Sequence, residues 1–155
     1  MAGPGRKTRR TFIFDYTKIA WEENSDNIPM LPVILSWGDR TLITKMLVDT
    51  GANVSFILPW MARILRMEFE GDTSTAPGAG GQIGVRASQV KLRPAQADTK
   101  GRAARTWLME HVLVPVEDDT IPFPILGRHP FFRWYDVEIR EKDEKFLLKE
   151  RRNRT

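Results

Sequence analysis

Cysteine is absent from this 155-residue chain. That excludes a disulfide scaffold, a thiol nucleophile and any zinc site built on thiolates. Histidine is scarce, with two residues in all. His111 lies in a β-like run without a second histidine at ligand spacing, so it is read as structural and no metal site or cofactor is expected. No apolar run approaches the roughly 20 residues of a membrane span. The basic start, Met1 to Arg10, leads into no hydrophobic leader segment, so a cytoplasmic location is the default expectation.

Positive charge is also missing from the body of the chain, despite a formal net charge of +4. Arg6, Lys7, Arg9 and Arg10 carry +4, and residues 149–155 carry a net +3, which leaves residues 11–148 at −3. A folded nucleic-acid surface needs its cations on the domain itself, so contact with nucleic acid is expected only weakly and through the ends. What is present suits one folded domain: 41% apolar residues, 10% aromatic and five tryptophans. The expected division is a basic tail at 1–10, a domain at 11–149 and a second basic tail at 150–155.

Within the domain, β-forming residues dominate. Strands are expected at Thr11–Ile19, Met30–Trp37, Thr41–Val48, Val85–Leu92 and Arg105–Val116, with a closing hairpin of Asp136–Arg140 and Lys145–Lys149 around the charged turn Glu141–Glu144. Pro32 is tolerable only at an edge or a strand start. The polar stretch Glu22–Asn27 reads as a loop, and Pro94–Arg105 as a turn. Pro59–Met67 reads as a short helix with proline in its first turn and an apolar face of Trp60, Ile64 and Met67, flanked by Met61 and Leu65. His129–Tyr135 reads as a second short helix.

Two stretches invite a chemical reading. The first is Met46-Leu47-Val48-Asp49-Thr50-Gly51-Ala52-Asn53, in which an apolar strand delivers one carboxylate into a tight turn. A carboxylate so placed must be hydrogen-bonded, paired or used. Taken alone, the triplet better fits a plain turn in which Asp49 bonds neighbouring amides. The second is the run Gly78-Ala79-Gly80-Gly81-Gln82-Ile83-Gly84. No helix start follows it and no Lys-Ser or Lys-Thr ends it, which argues against a phosphate loop. It reads as a hairpin tip, or as a plain loop.

In their order, these features resemble the retropepsin-like, single-lobe aspartic proteases. Leu47-Val48-Asp49-Thr50-Gly51-Ala52 is similar to that family's active-site loop, Gly78–Gly84 to its flap, and Ile125-Leu126-Gly127-Arg128 with Phe131-Phe132 to its closing Leu-Gly-Arg and helix. Asp49-Thr50-Gly51 with Ser55 also fits the phosphate loop of actin-like ATPases, but those need two large domains. The resemblance implies an all-β fold, a closed or partly open β-barrel with one or two short helices and a flap hairpin. It implies a peptide hydrolase whose second aspartate comes from a second copy of the chain, because one Asp-Thr-Gly supplies one carboxylate. Asp49, Thr50 and Gly51 would then be catalytic, with the Thr50 hydroxyl bonding across the two-fold axis. Ala52, Asn53, Gly80, Gly81, Gln82 and Ile83 would bind an extended peptide or polyprotein segment, and Gly127 and Arg128 would support the dimer.

Two positions depart from the family pattern. Asn53 stands where retroviral relatives carry an acid that pairs with the helix arginine, so Arg128 must be held otherwise. Ala52 stands where pepsins place Ser or Thr, which implies activity at milder acidity than pepsin's. The competing reading is a retropepsin-like dimerisation or peptide-binding module without turnover.

Overall fold

The computed structural model describes residues 8–18, 27–78 and 80–152. Most of the expected Glu22–Asn27 loop, Ile19 of the first strand, Ala79 of the hairpin tip and the outermost residues of both ends lie outside these.

Nine strands and two short helices follow in the order β1 (Thr11–Asp15), β2 (Met30–Trp37), β3 (Arg40–Val48), α1 (Pro59–Leu65), β4 (Glu70–Gly78), β5 (Gly81–Pro94), β6 (Trp107–Pro115), β7 (Ile125–Leu126), α2 (Arg128–Trp134), β8 (Tyr135–Arg140) and β9 (Lys145–Glu150). The expected strands and helices are present, the first strand shortened to Thr11–Asp15, with β4 added as the partner of β5 and the two-residue β7 as the partner of β3. Strands β1, β9 and β8 form a three-stranded antiparallel sheet. The larger sheet runs β4-β5-β2-β3-β7, with β6 also paired to β5. The fourteen-residue β5 is its hub, because it contacts β4 with its first half, β2 with its last four residues and β6 along most of its length.

The ladders do not close into a barrel. Only single bridges from Phe56 to Leu113 and to Ile125 span the gap between β6 and β7. The fold is all-β and of the partly open type.

Period-two burial explains how the sheets meet. Leu31, Val33 and Leu35 of β2, Phe12 and Phe14 of β1, and Phe146 and Leu148 of β9 all point into one apolar cluster with Leu92, Met109 and Phe131. Tyr135 is fully buried in it, and its hydroxyl accepts a hydrogen bond from Trp107 Nε1 at 2.8 Å. Burial pushes that hydroxyl up to about 12, so it stays protonated.

Three local features differ from the pattern reading or refine it. The buried face of α1 is Met61, Ala62 and Leu65, whereas Trp60 and Ile64 are 42% and 48% exposed. The i,i+4 stripes 60/64 and 61/65 lie side by side, and the packing of α1 against β3 and β6 selects the second. Pro32 sits inside a central strand, yet its carbonyl accepts from Ala95 just past the last β2–β5 pair, Val33 with Pro94. Its missing N–H faces that ladder's end, where no donor is needed. In β6 a bulge sets Glu110 and His111 opposite Gln89 alone, so both are exposed.

The sequence-defined ends do not stand wholly apart. Glu150 closes β9 and is buried, and its amide donates to the Arg10 carbonyl at 2.9 Å. Between β5 and β6 the chain is held by Asp98, whose carboxylate accepts from the Lys100 amide at 3.0 Å, the Arg102 amide at 2.7 Å and Arg102 Nε at 2.7 Å. Thr99 N–H in turn reaches the Thr11 carbonyl at 2.8 Å.

Burial acts to raise the Asp98 carboxyl, but these hydrogen bonds and the Arg102 charge outweigh it and hold the group below its ordinary value. A depressed folded value means that ionised Asp98 stabilises the fold above the unfolded value of 3.8, and that this is lost as pH falls through the folded one. Asp98→Asn is therefore expected to lower Tm at pH 7, with the gap to wild type closing below about pH 4. Thermal melts from pH 7 to pH 2.5 check this; a gap that stays constant with pH would refute it.

Candidate active site

The turn at Asp49 follows from where β3 ends. Burial along β3 rises toward its end, with Met46 and Val48 buried, and the chain emerges at Asp49, which is half-buried. Gly51 N–H donates to Asp49 Oδ1 at 2.9 Å, and Ala52 N–H to the Asp49 carbonyl at 3.3 Å. The side chain thus closes its own turn, as short acidic side chains do. Thr50, Gly51 and Asn53 are exposed. Thr50's hydroxyl has no hydrogen-bond partner among the described residues.

The loop is pinned from beneath by the segment that begins with β7. Leu47 and Val48 pair in parallel with Ile125 and Leu126, and Asp49 N–H donates to the Leu126 carbonyl at 3.0 Å. On the outgoing side, Arg128 N–H donates to the Ala52 carbonyl at 2.7 Å and His129 N–H to that of Asn53 at 2.9 Å. Residues 55–57 then insert as an extra strand. Phe56 exchanges both backbone bonds with Ile125, while Leu113 N–H donates to Ser55 O and Ile57 N–H to Leu113 O, each at 3.0 Å. The chain that enters and leaves Asp49 therefore straddles residues 124–129.

This crossing brings backbones so close that only glycine fits at Gly127. A Cβ there would lie 2.1 Å from the Val54 carbonyl oxygen and 2.9 Å from that of Ala52. Beside it, fully buried Ser55 accepts from Gly127 N–H at 3.0 Å and donates from Oγ to the His129 carbonyl at 3.2 Å. Pattern reading gave Ser55 no role in this loop. The available signal was a lone hydroxyl amid Val54, Phe56 and Ile57, since a buried polar group requires partners.

The other proposed site residues divide. Ile83 packs with Val54, Phe56, Ala76, Val85 and Leu113 in a second, smaller apolar cluster, which joins the hairpin's base to the outgoing arm of the Asp49 loop. Gly80, Gly81 and Gln82 are exposed at the hairpin tip, and no hydrogen bond among the described residues joins 80–83 to 49–53. Gly81 has φ +120, which L side chains rarely adopt, so the turn itself requires glycine. Arg128 touches the loop through its amide. Its side chain is exposed and has no ion pair among the described residues, in keeping with Asn53 supplying no acid. Among the described residues no cluster of His, Cys, Asp and Glu could hold a metal ion.

No protein-family model matches the chain, and no curated protein does either. Solved structures do. The chain is similar to EIAV protease complexed with the inhibitor HBY-793, at 24% identity and a TM-score of 0.46, over 72% of this chain and 92% of that one. It is also similar to a retropepsin-like aspartic protease from Rickettsia conorii, at 14% identity and a TM-score of 0.47, over 94% and 96%.

Because any Cβ at position 127 meets backbone and not a movable side chain, Gly127→Ala is expected to cost more than about 4 kcal/mol, among the largest single-residue effects. The measurement is denaturant unfolding together with amide exchange at Asp49, Arg128 and His129. Native stability and protection in this variant would mean that the crossing is looser than described.

Proposed function

We propose that the chain is an aspartic endopeptidase that acts as a homodimer. The observation that carries this reading is a lone carboxylate, Asp49, fixed at 2.9 Å by the Gly51 amide on a loop clamped by three backbone bonds, with the outer residues of that loop exposed. Such a loop is rigid enough to place an acid and open enough to meet a partner. The order of the Asp-Thr-Gly loop, the glycine hairpin and the Leu-Gly-Arg segment supports the same reading.

In this reading the two-fold axis passes beside Asp49, and its copy supplies the second carboxylate. Two carboxylates about 3 Å apart hold one proton between them. The ionised oxygen removes a proton from a water molecule as that water attacks the scissile carbonyl carbon. The protonated carboxyl gives its proton to the carbonyl oxygen, which yields a tetrahedral diol. Collapse of the diol breaks the C–N bond as the proton taken from water passes to the leaving nitrogen. One diol hydroxyl gives its proton to the other, ionised carboxylate, which re-forms the C=O bond and restores the singly protonated pair. The pair titrates as a unit, not as two separate residues.

The neighbours take roles that fit their placement. The Thr50 hydroxyl, without a hydrogen-bond partner among the described residues, would bond across the axis. Ala52 and Asn53, with Gly80, Gly81, Gln82 and Ile83 of the hairpin, would hold an extended peptide whose backbone adds as a strand. Gly127 and Arg128 would support the dimer by holding the loop's shape. The second reading is a dimerisation or peptide-binding module with the same loop and hairpin but without turnover.

Asp49→Asn is expected to reduce kcat on a cleaved peptide by at least about 10³-fold, while the dimerisation constant measured by sedimentation equilibrium changes little. Thr50→Ala is expected to do the converse, raising the concentration at which dimers and activity appear together. A wild-type dimer that binds peptides but cleaves none in a library at pH 3–7 would favour the binding module. A chain that stays monomeric at high concentration would remove the endopeptidase reading.

A further inference from the structure

The two ends of the chain, which are far apart in sequence, arrive at one place in the fold. Arg9 and Arg10 precede β1, Arg151 and Arg152 follow β9, and β1 and β9 are paired. Arg102 and Arg105, from the connection between β5 and β6, join them. These six arginines, with Thr8 and Glu150, line a single cavity of about 290 Å³.

The nearby carboxylates do not balance this charge. Asp98 holds Arg102 at 2.7 Å. Asp136 is shared by Arg9 at 2.7 Å and Arg151 at 3.4 Å. Glu150 meets Arg10 at 3.3 Å. Three acids therefore answer six cations.

Their geometry orients the cations more than it neutralises them. Arg102 also donates to the Thr8 and Arg9 carbonyls at 3.1 and 3.5 Å, which fastens the incoming segment to the cavity wall. Arg105 lies over the Trp107 ring, 5.3 Å from its centroid. Neither Arg105 nor Arg152 has a hydrogen-bond acceptor among the described residues. Arg10 Nε and Glu150 Oε1 are buried without a hydrogen-bond partner among the described residues, a donor and an acceptor left unsatisfied at the edge of a positively charged concavity.

We propose that this cavity is a binding site for the phosphate groups of a single-stranded nucleic acid. Every cation lining it is a guanidinium, whose planar fork matches phosphate oxygens in pairs. Among the described residues, none of the exposed large hydrophobics lines it, so those residues offer no apolar contact of the kind by which a protein beds into a bilayer. A flexible strand can direct one or two phosphates into a concave site, whereas a duplex presents them on a stiff convex surface. In sequence the cations continue outward as Lys7, Arg6 and Arg154. The site shares no residue with the Asp49 loop, so its test is independent of the proteolytic reading.

The experiment is fluorescence anisotropy of the full chain with a labelled twelve-nucleotide oligouridylate across a salt series. Arg105→Gln with Arg152→Gln removes two cations whose side chains donate no hydrogen bond among the described residues, with loss of the Arg105–Trp107 ring contact. Affinity at low salt is expected to fall roughly tenfold, and the log–log salt slope to become shallower by about 1.4, from about 0.7 per phosphate contact. Arg152→Gln alone, expected to give about half that slope change, serves if the double variant fails to fold by circular dichroism. Unchanged affinity and slope in a folded variant would overturn the site. So would complete loss of binding on neutralising only Arg6, Lys7 and Arg154, since the cavity would then not be what binds. Polyglutamate of matched length competing as well as the oligonucleotide would assign the cavity to an acidic protein segment instead. Binding to phosphatidylserine vesicles that is lost in the same variant, with oligonucleotide binding unaffected, would assign it to a membrane surface.

Discussion

The structure turns on the crossing of residues 52–56 over residues 125–129. Two backbone segments from distant parts of the chain pass within contact distance at Gly127, where even a methyl group would overlap the Val54 carbonyl. The bonds that tie the Asp49 loop to residues 125–129 depend on that approach. The amides of Asp49, Arg128 and His129 and both backbone groups of Ile125 find their partners only because the segments lie so close. Each such bond adds roughly 1 kcal/mol net, but a broken one inside the crossing leaves a buried polar group unpaired and costs more. Ser55 extends the same economy, with one hydroxyl serving a donor and an acceptor on the opposing strand.

The crossing also explains the apolar architecture around the loop. Inserting residues 55–57 between β6 and β7 places Phe56 against Leu113 and Ile125, and these meet Ala76, Ile83 and Val85 of the hairpin. The glycine-rich tip is therefore carried on a packed base, while the tip itself is exposed. At another place in the fold, the pairing of β1 with β9 gathers cations that the sequence keeps some 140 residues apart. The acids among them are placed to aim guanidinium groups, and too few to cancel them.

Much of this was legible because period-two burial and turn chemistry are local. The spans of β2 and β3, the hairpin of β8 and β9, the proline-started α1 and the carboxylate at a strand end all follow from neighbouring residues. Asp49 and Gly51 could be picked out for the same reason, since an Asx turn closes within three residues. Less was legible where two solutions share one local pattern. Trp60 with Ile64 and Met61 with Leu65 are equally good helical stripes, and only the position of β3 and β6 chose between them. The pattern allows Pro32 at an edge or a strand start; it is the third residue of a central strand, and only the packing shows that the β5 ladder stops beside it. The role of Ser55 was hidden because both its partners lie more than seventy residues away.

By itself, then, the order of residues determined an all-β chain with one acid set in a tight turn, since these depend on contacts between near neighbours and on what each side chain does to its own backbone. It also determined that cysteine chemistry was excluded. Only the tertiary structure decided that Gly127 is irreplaceable, that Ser55 is a pin and that six arginines share one cavity. Those facts rest on distances between segments remote in sequence, and such distances exist only once the sheets have packed and the crossing has closed.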